Sequence, residues 1–273
     1  MKLEFTHHQQ RYSADTTQAT SLAIPLQFDG PQPNHFGTDR AVRQTLRLGD
    51  FVGATKIGGS CNVDHLRLIP HCNGTHTETV SHIINEHIDV GHAAKETLSV
   101  AALITVPCRR STETDESYRP NLEVMDLLIT ARDLQRQLQP WISVSPQALI
   151  IRTLPNTPDK QMRQYAEGQQ PAFFTVEAMQ YIDSLEIQHL LVDLPSVDRM
   201  YDDGLLTCHH LFWHVPEGSH TLTPETRQER TITEMVFVPE QLNDGLYLLN
   251  LQIPSFATDA APSRPVIMPV EKH

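Results

Sequence analysis

Seven short apolar runs, at residues 21–26, 66–69, 98–106, 148–153, 189–192, 234–238 and 246–252, constrain the fold of this chain more than any other feature. They are rich in Val, Ile and Leu, and Pro, Gly or polar residues border them. Runs this short and this β-branched fit buried strands better than helices. None approaches the roughly 20 apolar residues that a membrane-spanning helix needs. Two segments read as helices instead. In residues 121–138 the apolar side chains Leu122, Met125, Leu128, Ile129, Leu134 and Leu138 recur at three- and four-residue steps, with Asn121 placed to cap the start. Residues 175–185 form the second, with Thr175 and Glu177 at its beginning, and they lead directly into the run at 189–192. Polar stretches at 109–120 and 215–230 read as surface loops, and residues 1–20 as a polar N-terminal arm. With no internal repeat and no long linker, the expectation is one α/β domain spanning 1–273.

Charge narrows the partners. The chain carries 21 Lys and Arg against 33 Asp and Glu, a net charge of −12. Binding to nucleic acid needs a basic footprint that displaces counterions, and no stretch supplies one. Anionic membrane surfaces are disfavoured for the same reason. A small-molecule partner is the expectation that remains. Cys61, Cys72, Cys108 and Cys208 show no paired spacing of the disulfide-framework kind, and the polar N-terminus lacks a signal-peptide core. A reducing cytoplasm is the compartment this implies.

The chemistry concentrates in HCNGTHTETVSH, residues 71–82. Asn73-Gly74-Thr75 breaks any regular helix there, so the following residues are expected to be extended. In extended chain, His76 and Glu78 project from the same side. A turn at Gly74 would bring Cys72 back beside them, giving three donors of the open, catalytic zinc type. His71 could substitute for Cys72 as the first ligand. A second cluster, CHHLFWH at 208–214, is weaker, and a buried strand edge or helix start with one hydrogen-bonded His explains it better. Phe173, Phe174, Tyr201, Phe212 and Trp213 could line a pocket, although plain core packing accounts for aromatics at such positions more simply.

Taken together these segments resemble the metal-dependent cyclases, the family of bacterial kynurenine formamidases and isatin hydrolases. The family signature H-x-G-T-H-x-D-x-P-x-H matches Cys72-Asn73-Gly74-Thr75-His76-Thr77-Glu78-Thr79-Val80-Ser81-His82. ALIIRTL at 148–154, the stretch ending in DLPSVD at 193–198, LTCHHLFW, ITEMVF and the C-terminal LYLLNLQIPSFATDAAPSRPVI follow in the family order, over roughly residues 20–270. The resemblance implies a swivelling β/β/α-type fold, usually assembled as dimers or tetramers. It also implies a first metal on Cys72, His76 and Glu78, and a second held by His209 and Glu234, with His210 as a one-residue slip. His82 takes the place of the proton-shuttling histidine. The implied reaction is hydrolysis of a small amide, formamide, lactam or lactone by metal-activated water.

The departures fall on the ligands themselves. Cys72 replaces a histidine, Glu78 an aspartate and Val80 a proline. Both substituted ligand positions still hold a metal-competent side chain. A thiolate donor would favour zinc over manganese, with one or two ions per chain. The alternative is a non-catalytic member of the fold that binds a small ligand or a partner protein through the altered site.

Overall fold

The computed structural model describes residues 1–166, 168 and 170–273. Its centre is an 11-stranded mixed sheet. In chain order the strands are β1 (Lys2–His7), β2 (Gln10–Asp15), β3 (Thr20–Ser21), β4 (His76–Glu78), β5 (Leu98–Pro107), β6 (Ala148–Leu154), β7 (His189–Val192), β8 (Thr231–Glu234), β9 (Gly245–Gln252), β10 (Ala260–Pro262) and β11 (Arg264–Lys272). Across the sheet they run β1-β2-β11-β9-β5-β6-β7-β8-β4-β10, with β3 beside β11. The middle pairs β5–β6, β6–β7 and β7–β8 are parallel, and the flanking pairs are antiparallel.

The apolar runs at 98–106 and 148–153 are continuous because both faces of the central strands are buried. Ala102, Ile104, Val106, Leu149 and Ile151 enter one core with the helices, while Ala101, Leu103, Ala148 and Ile150 enter a second core on the opposite face. The helices of the first core are α2 (Ala131–Leu138), α3 (Val176–Ser184) and α4 (Thr207–Trp213). A one-turn helix, α1 (Pro70–Asn73), sits just before β4. Among the described residues no helix is long and apolar enough to cross a membrane.

Several expectations shift. The helix expected over 121–138 begins only at Ala131. Residues Leu127–Ile129 form a strand between Arg109–Arg110 and Phe173–Phe174, and Thr130 caps the helix by accepting from the Asp133 amide. The run at 66–69 lies at the end of an exposed hairpin, Val42–Thr45 with Asp64–Arg67, and is not buried. The strand expected at 234–238 ends at Glu234 because Met235 takes a left-handed φ of 51° to reach the Leu194 carbonyl. The polar arm at 1–20 folds into the β1–β2 hairpin, turning at His8-Gln9, both with positive φ. At the other predicted helix, Thr175 is the N-cap, with its hydroxyl accepting from Ala178 N.

Candidate metal centre

The site is built on β4. It lies between β8 and β10, so His76 faces Glu234 on one side and Pro262 on the other, while Glu78 lies opposite Ile232 and Ala260. Strand periodicity puts His76 and Glu78 on one face and Thr77 on the other. Thr77 is spent on structure: its hydroxyl lies 2.8 Å from Thr233 Oγ1 and donates to Ser263 Oγ at 2.8 Å. The Gly-Thr of the motif is structural too. Gly74 has φ 157° and ψ −166°, a region essentially reserved for glycine. Thr75 Oγ1 accepts from Ile24 N and donates to the Met235 carbonyl, tying the entry of β4 to the end of β8.

Glu78 is the hub, fully buried with four histidines around it. His209 Nε2 lies 3.0 Å from Oε1, and His71 Nδ1 lies 3.0 Å from Oε2. His82 Nδ1 is 3.9 Å from Oε2. Glu234 joins from β8, with Oε2 3.5 Å from His76 Nε2 and Oε1 3.9 Å from His209 Nε2. The Val197 amide donates to Glu234 Oε1 and fixes it. Ligand-competent atoms come within 4.8 Å of one another in three overlapping sets: His71, His76 and Glu78; Glu78, His82 and His209; and His71, His82 and Asp259.

Each of three histidines turns one nitrogen to the centre and has the other held by an oxygen. His76 Nδ1 donates to the Gly74 carbonyl at 2.9 Å, His71 Nε2 pairs with Asp259 Oδ2 at 2.9 Å, and His209 Nδ1 pairs with Asp198 Oδ2 at 2.6 Å. This is how metal-binding imidazoles are oriented. Asp198 is also fully buried, and it accepts from Cys208 N, His209 N and Tyr118 Oη as well. It thereby anchors the start of α4, whose N-cap Leu206 has no side chain able to do so.

The electrostatics follow. Burial alone would favour protonated Glu78, but His82, His209 and His71 outweigh it and hold the carboxyl well below its usual range. Burial opposes a charged His209, yet Asp198 and Glu78 raise its pKa well above the ordinary value. His71 is likewise pulled down by burial and then held up to about 10 by Asp259 and Glu78. Protons thus supply the positive charge that these buried carboxylates require.

Of the residues singled out in the sequence, His76, Glu78, His82, His209 and Glu234 converge. Cys72 is buried beside Thr38, its thiol pushed up chiefly by burial, and it belongs to none of the three sets. His210 turns away and bonds the Val215 carbonyl. Phe173, Phe174, Phe212 and Trp213 are core, whereas Tyr201 is exposed and lies edge-on to Phe36 at 6.2 Å. Asp198 and Asp259 were not singled out. The Asp193-x-x-Ser196-x-Asp198 spacing carried a signal for the first, and no local pattern marked the second.

The family model described as "Putative cyclase" matches residues 7–199. The chain belongs to the cyclase family. The fold of this cyclase-family protein is similar to isatin hydrolase A from Labrenzia aggregata, with TM-score 0.60, 15% identity, and coverage of 92% of this chain and 93% of that one. Isatin hydrolase A from Ralstonia solanacearum gives TM-score 0.59 at 17% identity, covering 92% and 91%. A structure titled as a predicted metal-dependent hydrolase from Bacillus stearothermophilus gives 0.55 at 14%, covering 92% and 97%. No curated protein matches the sequence. The mixed single-domain α/β architecture is that of the cyclase-family structures.

Proposed function

We propose that this protein is a metal-dependent hydrolase acting on the carbonyl of a small amide, formamide, lactam or lactone. The observation that carries the reading is the set of three inward nitrogens around an ionised, buried Glu78. The site also fits a cation by its deficits: His76 Nε2 and Glu78 Oε2 are buried and have no hydrogen-bond partner. A buried polar atom left so costs about 1–3 kcal/mol unless something binds it. His76, Glu78, His209 and Glu234 are the residues that would hold the cation. When bound, zinc or manganese would polarise the carbonyl and lower the pKa of water.

The remaining work falls to the chain. Glu234 is pinned by the Val197 amide, and His209 by Asp198, which fixes the direction in which each side chain points. His82 differs from the other histidines. It is half-buried, and its Nδ1 sits 3.7 Å from Asp259 and 3.9 Å from Glu78. Such a group can exchange protons with solvent and deliver them at the centre, which is the general acid/base role proposed for it.

The test pairs metal analysis of protein purified without chelator with turnover of aryl formamides, cyclic amides and lactones. His82→Ala is expected to keep its metal and lose about 10²- to 10⁴-fold in kcat. Metal-loaded protein that binds these compounds without turning any over would replace this reading with that of a non-catalytic binding protein.

A further inference from the structure

We propose that the first metal donor of this chain is His71, oriented by Asp259, and that Cys72 lies outside the coordination sphere. The inference rests on the metal-centre reading above and departs from the register that the family motif implies.

The geometry starts in α1. His71 and Cys72 are consecutive on this one-turn helix. Successive helical residues diverge by about 100°, so the two side chains cannot address one point. The imidazole takes the centre. His71 Nδ1 is 3.0 Å from Glu78 Oε2, yet that oxygen has no aligned hydrogen-bond donor, and His76 Nε2 beside it has no partner either. Three buried or half-buried donor atoms thus point together, His71 and Glu78 as a misaligned ion pair and His76 Nε2 with no partner, the arrangement expected around a cation.

Asp259 completes the unit. It immediately precedes β10, whose Ala260 lies opposite Glu78, and its own carbonyl accepts from Thr79 N. That register sets its carboxylate 2.9 Å from His71 Nε2, leaving Nδ1 to face the centre. His71 therefore has the same two-sided support as His76 and His209. Cys72 has no such support.

The consequence is a donor set of nitrogen and oxygen only. A neutral imidazole in place of a thiolate removes one negative charge, so the set no longer selects against manganese.

The test uses cobalt(II) and zinc with the full chain stripped of metal. Cobalt-loaded wild type should lack the near-ultraviolet thiolate-to-cobalt charge-transfer band. Zinc affinity, measured by chelator competition, should be unchanged in Cys72→Ala, fall at least about 100-fold in His71→Ala, and fall about 10- to 100-fold in Asp259→Asn. A thiolate band in wild type that disappears in Cys72→Ala would overturn this inference while leaving the metal centre standing. Wild type that binds neither ion would overturn both. The wild-type spectrum decides the matter even if a variant fails to fold.

Discussion

Asp198→Asn is the most informative single change, because the substitution keeps shape and removes only the charge and one acceptor. Asp198 Oδ1 accepts from Tyr118 Oη at 2.7 Å and Cys208 N at 2.7 Å; Oδ2 accepts from His209 N at 3.0 Å and His209 Nδ1 at 2.6 Å. An asparagine presents one oxygen and one NH2 group. Whichever way the amide turns, one backbone N–H, of Cys208 or of His209, then faces another donor, while the Tyr118 hydroxyl and the His209 ring can turn or change tautomer to accept. Stranding that buried donor costs about 1–3 kcal/mol, roughly 2 kcal/mol at the middle of the range. For 273 residues at about 2.1 cal/mol/K each, the unfolding entropy is roughly 0.57 kcal/mol/K, and Tm should fall by about 4 °C.

The pH dependence supplies a second check. Burial alone would raise the Asp198 pKa, but His209 and Tyr118 hold it below its ordinary value. A depressed carboxyl contributes stability above its unfolded pKa and loses it as pH falls through the folded one. The gap between wild type and Asp198→Asn should therefore be full at pH 7 and narrow below about pH 4. Calorimetry on metal-free protein reads both effects. Tyr118→Phe removes a donor to Asp198 and leaves the buried Arg199 N–H, which donates to Tyr118 Oη at 3.1 Å, without its acceptor, so it should cost about 1–3 kcal/mol, roughly 2–5 °C. An Asp198→Asn melting point within about 1 °C of wild type, or a gap that ignores pH, would refute the account of Asp198 as the anchor of His209 and α4.

Zinc binding to chelator-stripped protein at pH 7 should release about two protons, from His71 and His209, whose folded pKa values are raised. Calorimetric titration in buffers of different ionisation enthalpy measures this, and release well below one proton would contradict it. Because the His71 pKa is raised to about 10, its stabilisation of the metal-free protein should be present below about pH 6.5 and fade as pH rises through 10. Lys160→Met should lower stability by about 3–5 kcal/mol, since it leaves the buried Asp193 carboxylate, now 2.7 Å from the ammonium, with only the Thr153 amide and hydroxyl as donors and no compensating cation; a melting point unchanged in the variant would show that the pair contributes nothing. Gly74→Ala should cost about 1–3 kcal/mol although its Cβ would meet only Leu26 Cδ1 at 3.9 Å, so a neutral result would mean the backbone there is unconstrained.

The sheet was most legible where both its faces are buried. There the apolar run is continuous, and the expected strands at 98–106, 148–153 and 189–192 nearly coincide with β5, β6 and β7. Legibility failed where pairing partners far along the chain overrode local period. Leu128 and Ile129 fit a helical stripe, yet they pair with Phe173 and Phe174 and become strand. The signal that the helix begins later was present in Thr130 and Asp133, a capping pair three residues apart. Similarly, Leu3 and Phe5 alternate with polar residues in the stretch read as an arm, and that alternation is the β1 strand.

The site was legible to the extent that its proposed ligands sit on strands. His76, Glu78 and Glu234 are fixed by a two-residue period and by cross-strand register, quantities a linear motif encodes. The residue before the glycine turn is different, because a one-residue step on α1 changes direction by about 100°. A motif can count positions there, but it cannot say which of two neighbours points inward. That choice falls to the carboxylate waiting on the other side. Asp259 is 188 residues from His71 and reaches it only because β10 pairs with β4. A linear motif registers the loss of histidine at position 72, whereas the folded sheet places an imidazole and its acceptor one residue earlier. Substitution of a motif ligand therefore argues for a lost centre only after the neighbouring residues and their distant acceptors have been located in three dimensions.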